Sequence, residues 1–229
     1  MEKLYEAFEM LMNMDEEIIH ILLVTLKMSF FSTSISCFVG MPLGILLAKY
    51  SFKGKRTIKK LINTLMGLPP VVAGLIVYFL FTRYGPLGKL NLLFTVDVMV
   101  IAQCILIIPV VISLTHSVVT IGSKSLMETA KGLNLSKIKT ARLFITENKS
   151  ALLSILLTAF GRSIAEVGAV SLVGGNIQWK TRVMTTAIML ETNKGNFSFA
   201  LALGIILLGV SFLVNTLSSL LVKEEREDD

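Results

Sequence analysis

Five stretches of this sequence are apolar for as long as a helix needs to cross a bilayer: Ile18–Ala48, Leu61–Phe81, Val98–Ile121, Ser150–Val173 and Phe199–Val222. A membrane-spanning helix takes about 20 apolar residues. Lipid offers no water to satisfy an open backbone, so runs of this kind fold as helices. They predict an all-α integral membrane protein with five transmembrane helices. Only 17% of the residues are charged and the mean hydropathy is +0.73, which excludes a soluble domain. The net charge of +6 would fit nucleic-acid binding, but the lysines flank apolar spans, as membrane topology requires.

Charge sets the expected orientation. Lys49–Lys60 holds six Lys or Arg and no acid, and Ser123–Lys149 holds six against two Glu. Both segments are expected in the cytoplasm under the positive-inside rule. With five spans the N-terminus then lies outside and the C-terminus inside, giving 14 Lys and Arg inside against 6 outside. Residues 1–17 carry apolar Leu4, Phe8, Leu11 and Met12 at helical spacing, which predicts either an amphipathic helix on the membrane surface or a disordered tail. Residues 18–222 form the transmembrane domain, and 223–229 a charged cytoplasmic tail. The first residues are acidic, so no cleavable signal peptide is expected. Cys37 and Cys104 sit inside apolar runs and read as core packers.

Several spans carry residues that disturb a plain helix. Gly40 and Gly44 have the spacing that lets helices approach closely, with Pro42 between them. In the second span, Pro69 and Pro70 remove two backbone donors. Such backbone persists at membrane depth only where protein or a wet cavity covers it. The pair therefore marks either a broken helix beside a permeation path or a structural kink. The fourth span carries Arg162 and Glu166, four residues apart and near its middle, followed by Gly168. Charges at that depth face a cavity or each other. The spacing predicts an Arg162–Glu166 pair, serving either a pathway gate or a structural bridge between helices. An unpaired Arg would be expected to hold an oxyanion too tightly. In the outer loop Gly174–Ser198, Gly174-Gly175-Asn176 offers N–H groups to an anion or simply turns the chain. Thr181–Leu190, which includes Thr185 and Thr186, suits a short helix at the membrane surface, and Trp179 fits the interfacial aromatic belt.

The segment Ser123–Lys149 is larger than a connector requires. Ser125 and Glu128 have capping-box spacing at a helix start. Asn134 suits a left-handed helix end, and Ser136 can cap a second helix, Lys137–Thr146. Together they predict a helix–turn–helix surface made for another protein.

Glu128-Thr129-Ala130 followed by Asn134 resembles the coupling loop of permease subunits in ATP-binding-cassette (ABC) importers, with Asn where that family usually has Gly. Asn tolerates the same left-handed backbone. The Leu-Pro that often closes the motif is replaced by Thr146-Glu147. The likeness runs from Thr25 to about Leu217. It includes Gly40-Met-Pro-Leu-Gly44, Leu68-Pro-Pro-Val-Val72 and Gly161-Arg-Ser-Ile-Ala-Glu166-Val-Gly168, in the order seen in molybdate, tungstate and sulfate importers. Glu166-Val167-Gly168-Ala169, Gly174-Gly175-Asn176-Ile177 and the run Thr181–Ile188 look most like the tungstate branch.

The resemblance implies a homodimeric permease in a prokaryotic cell membrane. It also implies two cytoplasmic ATPase subunits docked on the coupling loop (Glu128, Thr129, Ala130, Asn134, Ser136) and an extracytoplasmic oxyanion-binding protein. The pathway or gate residues it implies are Pro69, Pro70, Arg162, Glu166, Gly168, Thr185 and Thr186. No cofactor or metal is expected in this chain, and no catalytic residue. The sequence lacks the Gly-x-x-x-x-Gly-Lys-Ser/Thr phosphate loop, so ATP and Mg would bind the partner. The alternative cargoes are molybdate, sulfate or methionine. A membrane enzyme would need a ligand cluster that His20 and His116, far apart, do not supply. A channel working without ATP is the remaining rival.

Overall fold

The computed structural model describes the backbone of the chain except residues 1, 14, 133–135, 137, 138, 140–142, 144, 228 and 229. At 2, 122–131 and 221–227 it describes the backbone alone. The regular elements among the described residues are all helical, a short 3-10 turn at Gly88–Leu90 included. The helices are α1 (Glu2–Met12), α2 (Glu16–Lys49), α3 (Lys55–Met66), α4 (Pro70–Phe81), α5 (Val96–Gly132), α6 (Lys149–Ile164), α7 (Gly168–Gly174), α8 (Met184–Asn193) and α9 (Phe197–Glu227). Three of them, α2, α5 and α9, contain stretches long and apolar enough to span a bilayer. The other two expected spans are broken pairs: α3 meets α4 at 99°, and α6 meets α7 at 58°.

The first break follows from Gly67-Leu68-Pro69-Pro70. Pro69 sits extended at the start of α4, at φ −60° and ψ 128°, and Pro70 takes the first helical position, where a missing N–H costs nothing. Of the two readings of Leu61–Phe81, a broken helix is what the structure has, and its bounds are corrected. Its first residues belong to a separate amphipathic helix, α3, in which no residue is buried. The second break corrects the continuous span Ser150–Val173: the α6 ladder stops at Ala165, and Val167 leaves helical geometry at φ −120° and ψ −54°.

The two breaks dock on each other. A Cβ added at Gly168 would stand 2.9 Å from Val71 Cγ2 and 3.5 Å from Pro70 Cβ. One added at Gly74 would stand 2.7 Å from the Cα of Ala169. Only glycine lets these backbones touch. The same logic joins α2 to α5, where Gly40 and Gly44 lie against Val111 and Thr115 at 2.8 and 2.7 Å by that measure. In lipid, close van der Waals contact between small residues replaces the hydrophobic drive between helices. One buried cluster ties α2, α4, α5 and α7 through Met28, Ala73, Val77, Met99 and Val170. Another ties α1, α2, α6, α8 and α9 through Ala7, Ile21, Ile164, Met184 and Leu203.

Two further expectations are revised. No helix begins at Ser125, because α5 runs unbroken from Val96 to Gly132, carrying Glu128, Thr129 and Ala130 in its last turns. Apart from Gly122, the residues across Ile121–Lys131 are ordinary helix formers, so nothing stops the helix there. The outer-loop helix is α8, which packs into the bundle on one face: Met184, Thr186 and Ala187 are fully buried. At the N-terminus α1 is helical, buries Ala7 and is tied to α9 by a hydrogen bond from Ser198 to Glu6. Its apolar Leu4, Phe8 and Met12 remain exposed. Cys37 and Cys104 are buried free thiols.

Replacing Gly74 with Val forces apart the α4 and α7 backbones. It is expected to lower stability by about 1–3 kcal/mol, read from thermal unfolding of the detergent-purified chain. Gly209→Ala, where nothing lies within 4 Å, is expected to cost nothing.

Candidate translocation pathway and coupling site

The broken span between α6 and α7 gathers most of the expected pathway residues. Breaking a helix frees carbonyls, and at membrane depth each needs a donor. Gln103 of α5 donates Nε2–H to the carbonyl of Ser163 at 2.8 Å. Thr185 of α8 donates its hydroxyl to the carbonyl of Glu166 at 2.8 Å. Ser163 returns a bond from Oγ to Gln103 Oε1 at 2.8 Å, and its Oγ also lies 2.8 Å from Ser32 Oγ of α2. Ser32, Gln103 and Ser163 are fully buried. This network holds α2, α5 and α6 together at the break.

Arg162 and Glu166 do not pair. The Glu166 carboxylate turns forward and accepts the Ala169 N–H at 3.1 Å, capping the first turn of α7, where negative charge is favoured. The change of direction after Ile164 removes the continuous helical face on which an i,i+4 pair would form. Arg162 is exposed and makes no ion pair or hydrogen bond within the described residues. Both side chains line a narrow cleft with Gln103, Leu106, Ile107 and Ser163. Two residues past Glu166, Gly168 packs on Pro70 and Val71. The structure thus brings Pro70, Arg162, Glu166, Gly168 and Thr185 to one region.

Thr186 points elsewhere. Its hydroxyl donates to Asn176 Oδ1 at 2.9 Å, while Asn176 Nδ2 donates to the Thr186 carbonyl at 3.2 Å. Together with Gly175 at φ 70° and Asn176 at φ 49°, this fixes Gly174-Gly175-Asn176 as a turn. The loop re-enters the bundle, and Met184 donates its N–H to Thr25 Oγ1 of α2 at 2.9 Å. At the same end Arg182 Nη1 pairs with Glu17 Oε1 at 2.7 Å. Glu191 accepts from Lys194 and Asn196 at 2.8 and 2.9 Å. The Lys194 bond is the main cause holding the Glu191 carboxyl below the usual range, against the effect of burial. Trp179 meets His20 edge-on at 5.3 Å.

On the coupling side, Ser136 Oγ accepts the Lys139 N–H at 3.4 Å, the contact of a residue that caps a helix start. Asn134 lies outside the described residues. Sequence reasoning missed Gln103, Ser32 and Thr25. The available signal was an amide inside a long apolar run, since a buried amide must have partners.

The family described as the binding-protein-dependent transport system inner membrane component matches residues 40–227, and the chain belongs to that family. Among curated relatives, it is similar to the tungstate uptake system permease protein TupB of Peptoclostridium acidaminophilum. That match is 38% identical and covers 91% of this chain and 92% of the other. The protein of the same name from Campylobacter jejuni is 39% identical, covering 92% and 88%. A sulfate transport system permease protein, CysT of Salmonella typhimurium, is more distant, at 28% and covering 86% and 75%. The fold is that of the inward-facing MetNI methionine ABC transporter: TM-score 0.70, 15% identity, 93% of this chain and 97% of that one. An amino acid ABC transporter solved with histidines gives 0.64 at 20% identity, covering 96% and 98%.

If Glu166 serves as a cap, Glu166→Ala costs about 0.5–2 kcal/mol, while Glu166→Gln and Arg162→Ala change little. A double-mutant cycle on Arg162 and Glu166, read by thermal unfolding, is expected to give no coupling energy.

Proposed function

We propose that this chain is the permease subunit of an ATP-driven importer that carries tungstate into the cell. The observation that supports it best is similarity at 38 and 39% identity to tungstate uptake permeases, over about nine-tenths of this chain. Two copies line one central path. Two cytoplasmic ATPase subunits bind the Glu128-Thr129-Ala130 end of α5 together with Asn134 and Ser136. An extracytoplasmic protein delivers the anion. ATP and Mg reside on the ATPase. The N-terminus lies outside and the C-terminus inside.

The arrangement suits such a cycle. Because α5 is continuous from Val96 to Gly132, with Pro109 inside it, a push at Glu128 reaches Gln103 without an intervening loop. Gln103 is bonded to Ser163, one residue from Arg162, so the movement arrives at the break. Pro69, Pro70 and Gly168 let the two breaks shift as a pair, Thr185 ties the α6–α7 break to α8, and Thr186 holds α8 to the turn at Asn176. Arg162 gives the path its positive charge. In a water-filled path, a cation attracts a unit charge at 4 Å by about 1 kcal/mol. That is weak enough for release, which removes the objection to an unpaired Arg. Conduction needs contacts of this kind.

Glu128→Arg is expected to abolish both co-purification of the ATPase and anion uptake. If both stay normal in membranes that hold the variant at wild-type level, the coupling assignment is wrong. Competition among tungstate, molybdate and sulfate for the cognate binding protein decides the cargo.

A further inference from the structure

The helix α3 has no role in the pathway described above, yet its charged and apolar residues are sharply separated. Lys55, Lys59, Arg56 and Lys60 lie on one side with Asn63, and Ile58, Leu61, Ile62 and Leu65 on the other. None of its residues is buried, and Ile58 and Leu61 are 42% and 57% exposed. It stands at 99° to α4, the apolar helix it leads into. With α4 running along the membrane normal, a helix at this angle to it lies in the plane of the membrane.

Depth agrees with that orientation. The flank of α3 packs along α5, where Lys55 and Lys59 come close enough to His116 for their charges to act there. His116 lies 20 residues along α5 from Val96, about 30 Å at 1.5 Å per residue. That is the thickness of the hydrocarbon core. So α3 runs at the level of the headgroups, with its apolar side toward the acyl chains.

The preceding turn shapes a concavity. Lys55 Nζ donates to the carbonyls of Ala48 and Tyr50 at 3.3 and 3.0 Å, folding the turn back over the helix start. Phe52, Arg56, Lys59, Lys60 and Asn63 line an open hollow beside it. Six cations fall within Lys49–Lys60 and no acid offsets them.

We propose that α3 is an in-plane membrane helix whose basic face binds the phosphates of anionic lipid headgroups in the cytoplasmic leaflet. The inference rests on the orientation proposed above. A basic helix with an apolar underside has the chemistry of an interfacial lipid binder, and each cation at an anionic surface strengthens binding. Docked there, α3 anchors the end of α4 that carries Pro69 and Pro70, so the lipid holds one side of the break.

The test uses the assembled permease–ATPase complex in nanodiscs of phosphatidylcholine with or without phosphatidylglycerol. After detergent extraction, lipid retained per complex is measured for the wild type and for the triple variant Arg56→Gln, Lys59→Gln, Lys60→Gln. The variant spares Lys55, which holds the turn. Retained phosphatidylglycerol is expected to fall by about tenfold or more with three charges removed, while phosphatidylcholine stays constant. Equal retention overturns the proposal. So does loss of the lipid on adding millimolar tungstate or phosphate, which would mark a site for the free anion.

Labelling of Lys60→Cys by a water-soluble maleimide separates the remaining outcomes, because Cys37 and Cys104 are buried. Protection that requires phosphatidylglycerol supports the proposal. Protection that requires the ATPase, whatever the lipid, assigns the face to protein and overturns it. Labelling of intact cells from outside would overturn the orientation instead. Inside labelling with no lipid effect would sink the lipid assignment alone.

Discussion

A carbonyl freed at membrane depth must find a donor, and at the α6–α7 break two side chains donate beside the backbone N–H of Glu166, which itself reaches the Ser163 carbonyl at 3.3 Å. Gln103 serves Ser163 and Thr185 serves Glu166. Each comes from a different helix, so satisfying the break also fixes where α5 and α8 lie. An unsatisfied group there would cost several kcal/mol, more than any single packing contact returns. The rest of the arrangement follows. Glu166 turns forward to cap α7, Arg162 is left without a partner among the described residues, and Gly168 brings α7 onto Pro70 and Val71.

That geometry lets one piece of backbone be both broken and stable. The glycines allow contact between α4 and α7, the prolines remove donors that would have had no partner, and Ser32 ties the assembly to α2. A membrane carrier needs such a place, because a path that opens alternately must have helices that can shift without exposing bare backbone to lipid. The α2–α5 contact through Gly40 and Gly44 supplies a firm frame beside it.

Much of this was legible in the sequence. Apolar length marked the spans, and Pro69-Pro70 marked a break. Glu128-Thr129-Ala130 and the Arg162–Gly168 stretch carried the family resemblance, which the match over residues 40–227 bears out. Other features were hidden for physical reasons. Spacing of four places Arg162 and Glu166 on one face only while the helix continues, and hydropathy does not report a 58° turn. Apolar windows also blurred α3 into α4, because Leu61, Ile62 and Leu65 are as hydrophobic as a span although they form the underside of a surface-type helix. The partners of Gln103 lie 60 residues away, beyond any local pattern.

The account makes this chain a passive path that receives its energy through the inner end of α5. The most direct measurement is tungstate accumulation in proteoliposomes holding the permease, its ATPase and the binding protein, with ATP supplied to the ATPase side. The account predicts concentrative uptake that stops when ATP is omitted or when the ATPase cannot hydrolyse it. Uptake that runs unchanged without ATP would contradict it.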